Sequence, residues 1–342
     1  MAAANLRRFV IRRSVAAVIL MVGVTMVTFT LTSLVPSNPL LSLLGEAGMS
    51  DPVAVARYRE HYRLDDPVPV QYFTYMTNLV QGDLGTSRRT RLPVLDELAK
   101  HAPASMELAL LATILALTVG VAAGTVAGMF HNRLPDQVIR VISLVGVSMP
   151  IFWVALVVFY LARVQFGLLA GTGRLPPGML PPPTVTGAFS VDAALAGDWR
   201  LFRMATAHLL LPAFVLSIYA VSLITRFSRS AVLEALGEDF VRTARAKGLS
   251  GTSVAFRHVL RAALVPITTV SGVVFGVLLS GTVFVESIFA FPGLGQYAYV
   301  SAISLDLPAI MGITVFVAML YIVINFVVDL LYAVIDPRIR LS

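Results

Sequence analysis

Six long apolar stretches recur along the chain, and they constrain its fold more than any other feature. A helix needs about 20 mainly apolar residues to cross the hydrocarbon core of a bilayer. Only 13% of the residues are charged, whereas in a soluble globular protein about a quarter are. We therefore predict an all-α membrane protein with six transmembrane helices. Their predicted bounds are 14–35, 104–129, 138–161, 207–225, 264–285 and 307–334.

Basic residues predict the orientation of these spans. The segments that we assign to the cytoplasm together carry a large excess of arginine over acidic residues, whereas the outer segments are nearly neutral. Cytoplasmic loops of membrane proteins carry such an excess, so both termini are predicted to be cytoplasmic. An uncleaved first span is favoured over a signal peptide, because its apolar run is too long. The cytoplasmic segments are 1–13, 130–137, 226–263 and 335–342, and the outer segments are 36–103, 162–206 and 286–306.

The first outer loop is long enough to hold elements of its own. Asp51 to His61 is predicted as a short helix with Asp51 as its N-cap. Val70 to Val80 is predicted as an interfacial helix, since aromatic and apolar residues are interleaved there. Such a loop is usually a lid or a binding surface, with an inert cap as the alternative. In the second outer loop, Gly197 to His208 is predicted as a helix lying in the interface.

The cytoplasmic loop 226–263 is the most informative segment. Helix-forming residues run up to Gly248, which is predicted to end the helix as a C-terminal glycine does. Ser250 or Thr252 is predicted to cap a second short helix over 253–261. Two helices around a sharp turn indicate a docking element, because a basic patch that only contacts lipid needs no such break.

Charges near the ends of the spans have a structural interpretation. The net charge of +7 is assigned to membrane edges and anionic lipid rather than to nucleic acid. Arg226 and Arg229 lie nearest the bilayer and are predicted to contact lipid headgroups. Edge positions allow side chains to reach the interface, so a structural role is favoured for Glu107, Arg140, Arg163 and Asp329.

Small residues at four-residue spacing predict close helix packing. This spacing lets helix backbones approach one another within a membrane. The second span carries Gly120, Gly124 and Gly128, and the fifth carries Gly272, Gly276 and Ser280.

The sequence lacks the motifs of several function classes. It has no GxxxxGK[ST] phosphate loop, no HExxH zinc motif and no GxSxG nucleophile elbow, the signatures of nucleotide, metalloprotease and hydrolase sites. It has no cysteine, which excludes thiolate metal sites and disulfides. A secondary carrier would need acids at the membrane midplane, and a membrane enzyme would need a polar constellation inside the spans. Neither pattern is present, although both remain rival hypotheses to a transporter subunit.

Several motifs together resemble a known family. The run 238–249, followed by 258–261 and then 264–266, resembles the inner loop of dipeptide/oligopeptide/nickel ABC importer permeases, which is that family's version of the EAA loop. Further segments agree along the whole chain, and the long first outer loop resembles the B-type permease. Departures include Phe240 where tyrosine is usual, and none gives a reason to expect loss of coupling. The further segments are 82–85, 208–212, 286–295, 329–332 and 336–338, and a second departure is 36–39.

The resemblance implies a type I ABC importer permease fold and a set of partners. These are a second homologous permease in a heterodimer, two cytoplasmic ABC ATPases and an extracytoplasmic substrate-binding protein. ATP and Mg would be held by the ATPases, so this chain is expected to bind no cofactor or metal and to catalyse no reaction itself. The cargo is expected to be a di- or oligopeptide, with a nickel chelate, glutathione or a sugar as alternatives. The implied location is the bacterial inner membrane.

The resemblance and the patterns above give three sets of site residues. The segment from Ser250 to Arg261 would be the coupling helix, seated in a groove of one ATPase. The expected docking residues are Glu238, Asp239, Arg242, Ala244, Arg245, Lys247, Gly248, Ser250, Val254, Arg257, His258, Leu260 and Arg261. The expected packing or pore residues are Gly120, Gly124, Gly128, Met149, Pro150, Gly272, Gly276 and Ser280. The expected outer gate or binding-protein contacts are Gly82, Asp83, Glu286, Pro292 and Gly293.

Overall fold

The computed structural model of the chain describes residues 2–34, 49–61, 66–167 and 172–335. These residues form helices and loops, with a single isolated β-bridge between Thr86 and Pro93. The motif segments 36–39 and 336–338 lie outside the described residues, as do the side chains of Ser280 and Asp329.

Thirteen helices are described along these ranges, and five of them, α1, α4, α8, α11 and α13, are longer than the apolar runs that predict them. The short α10 continues through a π-helical segment, Val254–Val259, into α11, and a π turn, Leu161–Gln165, follows α6. In chain order the helices are α1 (Ala2–Leu34), α2 (Pro52–His61), α3 (Val68–Val80), α4 (Val94–Met129), α5 (Leu134–Ser148), α6 (Ile151–Tyr160), α7 (Phe189–Leu195), α8 (Trp199–Gly237), α9 (Asp239–Ala246), α10 (Gly251–Ser253), α11 (Leu260–Ile288), α12 (Leu294–Ile303) and α13 (Leu307–Ile335).

Six predicted spans correspond to four straight helices and two bent pairs among the described residues. Val10–Leu34, Val94–Met129, Trp199–Gly237 and Leu307–Val327 are each long and apolar enough to cross a membrane. The third predicted span corresponds to a pair, α5 and α6 with the turn after it, bent by 102° at Met149 and Pro150. The fifth span is bent by 48° between Leu264 and Pro266.

Helix α8 corrects the prediction for the end of the second outer loop. Asp198 caps this helix, since its Oδ1 accepts a hydrogen bond of 2.9 Å from the Leu201 backbone nitrogen. From there one continuous helix of 39 residues runs to Gly237. The segment predicted as an interfacial helix over 197–208 is therefore not a separate element: from Trp199 onward its residues are the first turns of α8. Its position in the interface stays a prediction.

The described residues divide into two compact units. One contains 1–102 and 296–323, and the other contains 103–295 and the residues from 324 onward. In the first unit, the hydroxyl of Ser87 donates to Asp306 Oδ2 over 2.6 Å. The His101 ring stacks on Tyr297 with centroids 5.0 Å apart. Burial raises the pKa of Tyr297 to about 12.

In the second unit, the glycine stripe of α4 packs against α8. A Cβ placed on Gly124 would lie 2.5 Å from Ser228 Cβ, so glycine is required where the two backbones approach each other. Gly120 and Gly128 face Ile224 and Val232 in the same way. The spacing in the sequence therefore marks close packing within this chain.

Candidate functional site

Helix α9 ends in a Schellman motif at Gly248. This glycine has φ +75°, a left-handed conformation that costs other residues energy. Its backbone nitrogen donates to Arg245 O over 2.9 Å, and the Leu249 nitrogen donates to Ala244 O over 3.3 Å. This pair of bonds satisfies the last carbonyls of the helix. The glycine stop predicted from the sequence is confirmed.

The chain re-enters helix immediately after this turn. Ser250 is the N-cap of α10, and its hydroxyl accepts from the Ser253 nitrogen over 3.3 Å. The predicted second helix is present, although it does not end at Arg261. It runs through the π-helical segment into α11, so the loop leads directly into the fifth span.

A small apolar cluster, the coupling core, holds this loop against the spans. Within the loop it contains Val241, Ala244, Val254 and Val259, all less than a tenth exposed. On the spans it contains Ala231, Val232 and Ala235 of α8 and Ala263 and Ile267 of α11. The loop therefore packs directly against α8 and α11 through this cluster.

The predicted docking residues divide into an exposed set and a buried set. Ala244 and Val254 are buried in the coupling core, where they shape the loop. His258 and Leu260 are half-buried. The exposed residues, which we name the coupling surface, are Glu238, Asp239, Arg242, Arg245, Lys247, Gly248, Ser250, Arg257 and Arg261.

Three apolar side chains of this loop were missed from the sequence. Phe240 and Leu249 are each 40% exposed, and Phe256 is 64% exposed. Aromatic residues within a polar rim dominate many protein interfaces, so Phe240 and Phe256 are grouped with the coupling surface, and Leu249 is grouped with them for its exposure alone. The sequence carries a signal that could identify them: each is a large apolar residue within a short, mainly polar segment.

Arg229 forms a buried ion pair rather than a lipid contact. Its Nε and Nη2 donate to the two oxygens of Asp136 over 2.6 and 2.9 Å, and Asp136 is fully buried. The Asn132 backbone nitrogen donates to the same carboxylate over 2.8 Å, and Arg140 lies 3.6 Å from it. The lipid-headgroup prediction for Arg229 is therefore wrong. The pair joins the start of α5 to α8.

An apolar groove of about 880 Å³ lies between α4, α11 and the last described turns of α13. Gly272 lines it, as does Phe256 of the loop 226–263, which we call the coupling loop. The hydroxyl groups on its wall bond to carbonyls of their own helices, as in the 2.7 Å bonds of Thr125 to Val121 O and Thr268 to Leu264 O. The groove therefore presents apolar surface with little capacity for polar recognition.

The broken third span lines a second, smaller cavity of about 300 Å³. Met149 and Pro150 face it together with Tyr219 and Gly281. Gly276 is buried in α11. The predicted packing or pore residues are thus distributed over two cavities and a helix–helix contact, and their role in a path between two permeases stays a prediction.

The predicted outer contacts divide in a similar way. Gly82, Asp83 and Pro292 are exposed. The Asp83 carboxylate accepts from the Gly85 nitrogen over 2.8 Å, which forms an Asx turn. Glu286 is fully buried beneath Gly293, where an added Cβ would lie 2.5 Å from its carboxyl carbon. Glu286 therefore supports the turn that follows it rather than offering a surface contact.

The outer end of α4 is tied to the second outer loop by a second buried ion pair. Arg174 donates to Glu107 Oε2 over 2.8 Å and to Gly187 O over 2.7 Å. Its guanidinium lies 3.5 Å from the Phe189 ring centroid. The other oxygen of Glu107 accepts from Ser190. The structural interpretation of Glu107 is thus supported by its contacts.

No cluster of three or more potential metal ligands occurs in the part of the chain that the structure describes. Within that part, the side chains that stand out are the coupling surface, the two buried ion pairs and the apolar grooves. These features are typical of a surface that binds another protein and of helices that pack within a membrane.

Comparison with known families gives two matches that together cover most of the chain. The family "binding-protein-dependent transport system inner membrane component" matches residues 120–341. The N-terminal family of the same membrane components matches residues 6–109.

Curated relatives match over nearly the whole chain. The probable D,D-dipeptide transport system permease protein DdpB of Escherichia coli K12 is 42% identical over 322 residues, covering 94% of each chain. The di/tripeptide permease DppB of Pseudomonas aeruginosa is 41% identical and covers 97% of this chain and 98% of its own length. The dipeptide permease DppB of Haemophilus influenzae is 40% identical, with 97% and 99% covered.

A solved structure shares the fold. A chain of the methionine ABC transporter MetNI in an inward-facing conformation superposes with a TM-score of 0.51 at 16% identity. The match covers 70% of this chain and 96% of that chain. It supports the helical transporter architecture predicted from the apolar runs.

Proposed function

Because the chain belongs to the family of binding-protein-dependent transport system inner membrane components, and so is a multi-pass permease subunit of a bacterial ABC importer, we propose that its cargo is a di- or oligopeptide. The observation that carries this proposal is the 40–42% identity, over nearly the full chain, to permeases named for dipeptide or di/tripeptide transport. A nickel chelate, glutathione or a sugar is the alternative cargo.

The coupling surface is proposed to dock on a cytoplasmic ATPase. Arg245, Lys247 and Arg257 are exposed there, and complementary charge steers such encounters. Phe256 would add an apolar anchor. Closure of the ATPases on nucleotide would push this surface, and the coupling core would pass the movement to α8 and α11. Reorientation of packed bundles in this way is a common switching mode.

The remaining partners follow from the same family membership. We propose a heterodimer with a second, similar permease, two ATPase subunits that hold ATP and Mg, and an extracytoplasmic binding protein. The exposed Gly82, Asp83 and Pro292 are candidate contacts for that protein. Both termini would be cytoplasmic. The chain itself would catalyse no reaction and would bind no cofactor.

Reconstitution tests the function directly. The affinity-tagged chain is co-expressed with its candidate partners, purified and placed in vesicles with ATP inside and binding protein outside. We expect co-purification of a second permease and two ATPases, and ATP-dependent uptake of a radiolabelled dipeptide. Uptake by the chain alone would instead indicate a secondary carrier. Competition by glutathione or a nickel chelate, with no competition by peptides, would reject the peptide cargo.

A further inference from the structure

Helix α3 contacts α1 close to the middle of the first span. The candidate span of α1 is Val10–Leu34, and its central residue is Val22. The uncharged run predicted from the sequence begins later, at residue 14, so its centre lies nearer to Thr25. The Tyr72 hydroxyl of α3 lies 2.9 Å from Thr25 Oγ1 and 3.3 Å from Val22 O. Since a helix rises 1.5 Å per residue, Thr25 lies about 4.5 Å along the axis from Val22.

Further contacts hold α3 at the same level. The Phe29 ring stacks on Tyr75 with centroids 5.8 Å apart and meets Tyr72 edge-on at 5.5 Å. Phe29 is seven residues from Val22, about 10 Å along the axis. All these contacts fall within the half-thickness of about 15 Å of a hydrocarbon core. These distances are measured from the centre of the span, so the depth of α3 in the membrane is the same whichever end of α1 faces the cytoplasm.

Two threonines of α1 face inward, and one of them, Thr25, makes the contact with Tyr72 of α3. Thr25 is fully buried and Thr28 is 8% exposed, although most of α1 is exposed within the chain. Small hydroxyl residues commonly mediate helix packing within membranes. The contact therefore has the character of an intramembrane interface.

The opposite face of α3 has no charge and no unsatisfied hydroxyl. None of its 13 residues is charged or a histidine. Phe73 is 71% exposed and Val80 is 82% exposed. Between them, the Thr77 hydroxyl donates to Phe73 O over 2.6 Å, so its donor needs no water. Hydrocarbon requires polar groups to be satisfied internally, and on this face the Thr77 hydroxyl meets that condition.

We propose that α3 lies within the hydrocarbon core of the membrane and presents the face of Phe73, Thr77 and Val80 to lipid acyl chains. The sequence alone predicted an interfacial helix over Val70 to Val80, and the contacts with α1 assign it a deeper position. The first outer loop would then be partly a membrane element rather than wholly a lid.

Spin labelling tests this position, because the chain has no cysteine of its own. Phe73→Cys and Val80→Cys are labelled with a nitroxide in the assembled importer, and the signal from the wild-type complex is subtracted. Ile19→Cys on α1, which is 67% exposed, is the lipid control, and Val185→Cys, which is 71% exposed in the second outer loop, is the aqueous control. Peptide uptake is measured for each variant to show that the label leaves the fold intact.

We expect both α3 positions to resemble Ile19→Cys, with relaxation by oxygen several-fold stronger than relaxation by a water-soluble nickel chelate. Stronger relaxation by the nickel chelate, as at Val185→Cys, would place α3 in water and overturn the proposal. Protection from both reagents at both positions would mean that another protein subunit covers this face, which would also overturn it.

Discussion

The hydroxyl of Ser105 bridges Glu286 and the turn that follows the fifth span. It donates to Glu286 Oε1 over 2.5 Å and accepts from the Leu294 backbone nitrogen over 2.7 Å. Ser105 is 1% exposed and Glu286 is fully buried. The outer ends of α4 and α11 and the start of α12 are therefore held at one point.

Ser105→Ala should destabilise this outer junction. It leaves a buried carboxylate oxygen and a buried backbone nitrogen without that hydroxyl, and such a loss costs about 1–3 kcal/mol. The measurement is the thermal unfolding midpoint of the purified complex. Ser148→Ala is the matched control, since Ser148 is exposed and should change the midpoint little. Equal effects of the two changes would contradict the bridging role.

Gly248→Ala should weaken coupling more than folding. Alanine in the left-handed conformation costs about 1–2 kcal/mol, which would loosen the turn between α9 and α10. We expect slower uptake per ATP hydrolysed. Gly237→Ala is the control, because Gly237 has no positive φ and no atom within 4 Å of an added Cβ. Normal coupling in Gly248→Ala would show that the turn is not needed.

Charge reversal should disrupt docking on the ATPase. We expect the double variant Arg245→Glu and Lys247→Glu to lose ATPase subunits on purification and to lose most uptake, because the exposed charges would repel an acidic partner. Arg163→Glu, an exposed basic residue outside this loop, is the control. Retention of the ATPases and of uptake in the double variant would reject this docking surface.

Asp136→Ala should be among the more damaging single changes. It leaves Arg229 in a largely buried site without its partner, and breaking a buried pair in this way costs about 3–5 kcal/mol. Arg140→Ala tests the more distant, half-exposed contact and should cost less than about 1 kcal/mol. Both are measured by thermal unfolding. A larger loss of thermal stability from Arg140→Ala than from Asp136→Ala would contradict the assignment of Arg229 as the main partner of Asp136.

Low pH should reduce the stability of the folded second outer loop, because it protonates the Asp192 carboxylate. Burial acts to raise the pKa of this carboxyl, but hydrogen bonds from Thr186, Gly187 and Val185 outweigh it, and the net pKa is lowered. A lowered folded-state pKa means that the stabilisation is present at neutral pH. It fades as the pH falls below about 3.9, the ordinary aspartate pKa, and through the folded-state pKa.

The measurement for Asp192 is the difference in unfolding midpoint between the wild type and Asp192→Asn as the pH is lowered. We expect the wild type to be more stable at neutral pH and the difference to shrink in acid. A difference that stays constant into the acid range would mean that the charged form contributes nothing.

Local signals in the sequence predicted the coupling loop well. A glycine that ends a helix and a serine that caps the next act through bonds within a few residues, so Gly248 and Ser250 could be placed without a fold. The partners Asp136 and Arg229 are 93 residues apart. No short-range sequence pattern links residues so far apart, which is why the sequence predicts a lipid-headgroup contact for Arg229 instead of this ion pair.

Proline was a poorer guide to helix breaks. Pro103 and Pro212 lie inside the continuous helices α4 and α8, whereas the chain bends by 102° at Met149 and Pro150. Pro212 and Pro150 both lie in apolar stretches, so hydropathy does not distinguish the continuous helix from the bend. The packing of each segment decides whether the chain bends, and that packing is absent from the local sequence.

The glycine stripe of α4 against α8 restricts how the transporter can change shape. With Gly124 seated on Ser228 and its neighbours seated likewise, the two helices cannot slide or roll without separating their backbones. We therefore expect α4 and α8 to move together as one rigid body during the transport cycle. Flexing would then fall to the points where the helical path already bends, at Pro150 and beside Pro266.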